Sequence, residues 1–167
     1  FAEVIVQDQD GRMKPVNTLS SEIMRKIYRK DKMDGLNSDQ ILLGMLSNPS
    51  YWQTVPMIKV SDGELKKLIG VSGKYASFND FLDPAMGSYK LSNAVNIAYE
   101  KKPVERNSFD KDVIKVDERV NIFFMAIQGD FLTAFPEPGH PNSKWHTAED
   151  PFSNFDTTDA MFVGNIL

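Results

Sequence analysis

The clearest pattern of apolar and polar positions lies in the last third of the chain. Phe109, Val113, Val116, Val120, Phe123 and Ile127 follow one another at intervals of four, three, four, three and four. At 3.6 residues per turn this spacing puts six apolar side chains on one stripe, widened by Ile114 and Phe124, and predicts a long central core helix. A coiled-coil seam would fit the same spacing but normally runs over more heptads. Before this helix the pattern is shorter and more varied. In "FAEVIVQDQDGRMKPV", Val4 and Val6 alternate with polar neighbours and Asp10-Gly11 follows, which predicts a short strand running into a turn. Beyond Pro15, Leu19, Ile23 and Ile27 recur every fourth residue, so a helix is expected there, capped by Asn17 or Thr18 and ending near Asp31, before Gly35.

Four further elements follow from capping residues and chain breakers. "NSDQILLGML" begins a helix at Asn37, with Gln40 three residues on as in a capping box, and buries Ile41, Leu42, Met45 and Leu46. Asn48-Pro49 ends it, because the residue before a proline is pushed out of helical geometry. "TVPMIKV" reads as a short strand able to pair with the first one. "SDGELKKLIG" has the capping-box spacing Ser61 to Glu64, buries Leu65, Leu68 and Ile69, and closes on Gly70. Ser77 and Ser88 are expected to cap "FNDFLD" and "YKLSNAVNIAYEKK". After Gly129, "FPEPGHPNSKWHTAEDPF" holds four prolines in 18 residues and reads as an irregular surface loop, over 130–155. A helix capped by Thr157 or Thr158 is expected near Asp159. The fold class is therefore mainly α with a small β element: one irregular helical domain over residues 1–167 built on one long central helix.

Composition changes this picture in two places. A net charge of −4 and a pI near 5.2 argue against a domain built to coat nucleic acid. With no cysteine, the chain has no disulfides, thiolate metal sites or cysteine nucleophile. No run approaches the roughly 18 to 20 apolar residues that cross a bilayer. The chain starts at Phe1 and stops in the apolar "DAMFVGNIL", as expected of a soluble piece of something longer.

Catalytic and metal motifs find little support. His140 and His146 sit six apart, and two imidazoles without cysteine or HExxH spacing do not form a recognised site, so solvated loop histidines are expected. "GVSGK" has two residues between its glycines where a phosphate loop needs four, and Tyr75 where it needs Ser or Thr. "DQDG" lacks the rest of a calcium loop, which leaves turn chemistry as its explanation. Asp117, Glu118 and Arg119 are neighbours on one helix and so cannot converge. No G-x-S-x-G elbow occurs. No catalytic residue, metal ligand or haem ligand is assigned.

Surface features remain. Arg12, Lys14, Arg25, Lys26, Arg29, Lys30 and Lys32 gather seven cations in 21 residues of an acidic chain, either as a solvated face or as a docking surface. Trp52 is expected to plug the core, whereas Trp145 could plug it or anchor a partner. The partner-binding candidates are thus Arg12, Lys14, Arg25, Lys26, Arg29, Lys30 and Trp145.

Several long stretches carry a family resemblance: "DGRMKPVNTLSSEIMRKI", "GLNSDQILLGMLSNPSYWQTVPMIKV", "KYASFNDFLD", "VIKVDERVN" and "GDFLTAFPEPG". From about Gln7 to Trp145 the chain resembles the extracytoplasmic region of the fused system II cytochrome c biogenesis proteins, synthases of the CcsB/ResB plus CcsA type. The resemblance implies an integral membrane protein that moves haem outward and joins it to the Cys-x-x-Cys-His thiols of an apocytochrome. This domain would lie between membrane spans, on the periplasmic side of the cytoplasmic membrane. Its implied partners are apocytochrome c, the rest of the synthase and the membrane surface, with no nucleic acid. The family's tryptophan-rich W-x-W-x-D motif is absent here, so no haem ligand is carried onto His140 or His146, and the domain itself holds no cofactor. Two rival expectations are a structural spacer and an enzyme domain using Asp117, Glu118 or a histidine.

Overall fold

The computed structural model describes residues 1–136 and 143–147. The long periodic stretch forms helix α6 (Ser108–Gln128), and the other elements pack around it. Val113, Val116, Val120, Phe123 and Ile127 are buried as the spacing requires, while Phe109 and Ile114 are partly buried and Phe124 is exposed. Asn107 caps the helix in a reciprocal capping box with Asp110, and Gly129 (φ 81°) ends it in the left-handed conformation.

Helix α1 (Val16–Ile27) lays Leu19, Ile23, Met24 and Ile27 against α6 and against α2 (Ser38–Ser47). Neither Asn17 nor Thr18 caps α1. Pro15 occupies the cap position, and main-chain carbonyls satisfy the first turn: Val16 N–H donates to Val4 O at 2.8 Å and Asn17 N–H to Ala2 O at 3.1 Å. The helix also ends earlier than expected, because Arg29 adopts φ 71° and Asp34-Gly35 (φ 50° and 83°) turn β3 (Lys32–Met33) back onto β4 (Leu36–Asn37).

Helix α2 starts with the Asn37–Gln40 capping box and buries Ile41, Leu42 and Met45, with Leu46 partly covered. The short α3 (Pro49–Trp52) then brings Trp52, 6% exposed, against Gly44. Trp52 is the core plug the sequence suggested. Asp62, not Ser61, caps α4 (Gly63–Ile69), accepting from the Glu64 and Leu65 amides at 2.8 and 2.9 Å. Leu65 and Ile69 face inward, but Leu68 is 48% exposed because only one face of α4 meets α6.

The strands form three separate antiparallel pairs among the described residues. β1 (Ile5–Gln7) pairs with β2 (Met13–Pro15) as a hairpin. β5 (Ile58–Lys59) does not join the first strand; it pairs with β6 (Tyr75–Ala76), across α4. Ser77 caps a 3-10 turn, η1 (Phe78–Phe81), as expected. Ser88 caps nothing, since α5 (Ser92–Glu100) begins four residues later with Leu91 at its cap. The architecture is mainly α with a small β element. Among the described residues, no helix is long and apolar enough to cross a membrane. The helix expected near Asp159 lies outside the described residues.

Candidate functional site

The opening hairpin is built on Asp8. Its Oδ1 accepts from the Asp10 and Arg12 amides at 3.0 and 2.9 Å, and Gly11 closes the turn at φ 80°. "DQDG" is thus a side-chain-braced turn. The other carboxylate oxygen of Asp8 holds Lys14 at 2.9 Å, and Lys14 also reaches Glu22 on α1 at 2.9 Å. Hydrogen bonding to Lys14 holds the Asp8 carboxyl below its usual range, and hydrogen bonds from Asp8 and then Glu22 push the Lys14 ammonium up. Arg25 grips Asp31 with two parallel bonds, of 2.5 and 3.0 Å, which lower the Asp31 carboxyl. Lys14 and Arg25 are therefore engaged within the domain. Arg12, Lys26, Arg29 and Lys30 are exposed and make no ion pair among the described residues.

A second wall faces this hairpin. After α6 the chain doubles back, and Phe135 and His146 exchange main-chain hydrogen bonds at 3.2 and 2.8 Å. Gln7, buried at 7% exposure, joins this returning segment to β1. Its amide donates to Thr133 O at 3.0 Å, its Oε1 accepts from the Trp145 amide at 2.7 Å, and its Nε2 donates to Ser143 O at 3.3 Å. The Thr133 hydroxyl donates back to Gln7 O. Sequence reasoning missed Gln7. A glutamine alternating with valines on a strand was the available signal, but its partners lie more than 120 residues away.

Between the two walls lies a cleft of about 670 Å³. Leu19, Met125 and Phe131 give it an apolar floor, and Asp10, Lys26, Asp130 and Lys144 line it with both signs of charge. Lys14 and Trp145 also line it, so the structure brings three predicted residues, Lys14, Lys26 and Trp145, into one concavity. Arg25 lies over a shallower polar depression with Asn17 and Asp39. Among the described residues, the Trp145 indole Nε1 is buried without a hydrogen-bond partner. Such a donor carries a cost of about 1–3 kcal/mol that an incoming acceptor would recover.

The other sequence candidates separate. Asp117 turns inward to accept from the Tyr89 hydroxyl at 3.0 Å and from Asn121 at 3.2 Å, Arg119 donates to Lys59 O, and Glu118 is exposed. Burial, followed by the Asp117 charge, keeps the Tyr89 hydroxyl protonated. Gly70 of "GVSGK" caps α4. Among the described residues no three His, Asp or Glu side chains gather to hold a metal. His140 lies outside them.

No family model matches the chain. Its sequence is 45% identical over 146 residues to Protein NrfI of Wolinella succinogenes. The match covers 87% of this chain but only 16% of NrfI. Most of NrfI thus lies outside it, and what the whole of NrfI does is not thereby a property of this chain.

Proposed function

We propose that this chain is a binding or scaffolding domain of a membrane-bound cytochrome c biogenesis protein, of the fused CcsB/ResB–CcsA type, held on the periplasmic side of the cytoplasmic membrane. The observation that carries the reading is the 45% identity to NrfI over nearly the whole chain. In this reading haem is cargo of the parent protein, which attaches it to apocytochrome c, while this domain binds and does not catalyse. The cleft supports a binding role, since it combines an apolar floor, two signs of charge and an indole donor with no partner among the described residues. Arg12, Lys26 and Lys30, unpaired among the described residues, are the cations through which an apocytochrome, the rest of the synthase or an anionic membrane surface would be met.

One observation favours a second reading. The pairing of Lys14 with Asp8 and Glu22, and of Arg25 with Asp31, uses part of the basic segment to brace the domain itself. A structural spacer that touches no client would need no more than that.

Calorimetry of the purified chain with a peptide carrying a reduced Cys-x-x-Cys-His site, with and without haem, separates the two. Saturable binding that weakens at raised salt and is lost in Trp145→Phe supports client docking at the cleft, because exposed charges are screened by salt. Absence of binding under both conditions overturns it in favour of the spacer.

A further inference from the structure

The chain between η1 and α5 forms a short loop with one apolar side chain at its tip. It reads "LDPAMGSY" from Leu82 to Tyr89, and these two residues face each other across its base as an antiparallel bridge. The base is tied to the rest of the domain. The Tyr89 hydroxyl donates to Asp117 on α6 at 3.0 Å, and the Lys90 ammonium donates to Asp80 O at 2.8 Å and to Ile69 O at 3.0 Å. Above the base, Asp83 holds the turn. Its amide donates to Ser88 O and its carbonyl accepts from the Gly87 amide, each at 2.8 Å, while its Oδ1 accepts from the Ala85 and Met86 amides, each at 2.9 Å. The Met86 and Ala85 amides keep the Asp83 carboxyl below its ordinary range, and Gly87 supplies the φ of 65° that the turn needs.

This brace uses only the main chain of Met86, whose side chain is left 82% exposed. Ala85, Gly87 and Ser88 beside it are too small to shield the sulfur. The other described methionines are better covered. Met24, Met45 and Met57 are buried in the core at 1% exposure or less, Met33 is 6% exposed, Met125 is partly covered at the cleft, and Met13 on β2 is 47% exposed. Oxidation of a thioether follows its access to the oxidant. The sulfoxide formed is polar, so it disrupts a core but is easily borne by a side chain already in water.

We propose that Met86 is a reversible oxidation site, the first of the described methionines to react with a peroxide. A lone pair on Met86 Sδ attacks one oxygen of hydrogen peroxide, and the S–O bond forms as the O–O bond breaks. The hydroxide that leaves takes the proton from the transferred oxygen and becomes water. Sulfur gives up two electrons and the peroxide accepts them. A methionine sulfoxide reductase reverses the change: its two thiols become a disulfide, supplying two electrons, and the oxygen leaves as water. Because Asp83 holds the backbone in both states, oxidation turns the loop tip from apolar to polar while the fold stays as it is. The inference does not depend on the proposed role in cytochrome c biogenesis.

Hydrogen peroxide added to the purified chain, with quenched samples digested and weighed by mass spectrometry, tests it. Met86 gains one oxygen first and Met13 follows. Met24, Met45 and Met57 react more than about tenfold more slowly than Met86, because reaching them requires the core to open. The chain oxidised at Met86 alone melts with the parent, and a methionine sulfoxide reductase with dithiothreitol returns it to the parent mass. Met86→Leu removes the fastest oxidation and leaves the melting temperature unchanged. Oxidation of Met13 or a core methionine ahead of Met86, a lowered melting temperature after oxidation of Met86 alone, or a sulfoxide that the reductase leaves in place would each overturn the inference.

Discussion

The packing around α6 and the wall organised by Gln7 are both ordered, but they are held by different forces. On the inward face of α6 contact is mainly apolar: Phe123 is fully buried and stacks on Phe78 at 5.4 Å, and α1, α2 and α5 pack on the same helix. Each such large side chain gives up about 1.5–3 kcal/mol of hydration cost on burial. At the cleft, the returning segment meets β1 mainly through directional polar contacts, most of them centred on Gln7. Hydrogen bonds of that kind each contribute about 0.5–1.5 kcal/mol net. One region sets whether the chain folds; the other sets the shape of a concavity at modest cost.

The contrast can be tested by single substitutions. Phe123→Ala, at a fully buried position of α6, is expected to lose about 3–5 kcal/mol in urea titration, since it leaves a void under Phe78. A loss below about 1 kcal/mol would remove α6 from the centre of the core. Gly44→Ala comes next. A Cβ at position 44 would stand 2.8 Å from the Trp52 indole nitrogen, so overpacking should outweigh alanine's better helix propensity, with a loss of about 1–3 kcal/mol.

Gln7→Ala tests the other region. It should cost about 1–2 kcal/mol overall, yet speed amide exchange at Trp145 far more than at Val120. Uniform acceleration at both would mean the cleft wall and the core are one cooperative unit. The smallest effect belongs to Asp8. Its carboxyl is held below the ordinary 3.8, chiefly by Lys14, so its contribution to stability is complete above about that value and is lost as pH falls through the depressed value of the folded chain. Asp8→Asn should lower the melting temperature slightly at neutral pH and converge with the parent chain as pH falls below about 4, which flattens the acid end of the profile, a pattern checked by thermal melts across that range.

What could be read from sequence was what neighbouring residues decide. The α6 stripe, the Asn37–Gln40 box, the Ser77 cap and the glycine end of α4 depend on partners within a few turns, and the structure has each of them. The errors arose where a distant or competing group intervened. Asn17 and Thr18 lost the start of α1 to carbonyls of Ala2 and Val4, and Asp62 displaced Ser61 because it supplies a carboxylate to two amides at once. The "TVPMIKV" strand was identified but not its partner, since two-residue β6 carries almost no periodic signal of its own. For the site, Lys14, Lys26 and Trp145 were chosen singly from composition and context. Their convergence was not legible, because it is brought about by Gln7, whose role depends on residues from the other end of the chain.

That long-range link also bears on the order in which the molecule assembles. The Gln7–Trp145 bond closes a loop of 138 residues. The entropy lost in closing a loop grows only with the logarithm of its length, but the contact has too little energy of its own to nucleate folding across so long a chain. The helices must therefore collapse first and carry positions 7 and 145 into range, which makes this clasp a late event. Refolding should show the helical signal reaching its final value before the cleft is complete, and a trapped early intermediate would have a native-like core with an open cleft.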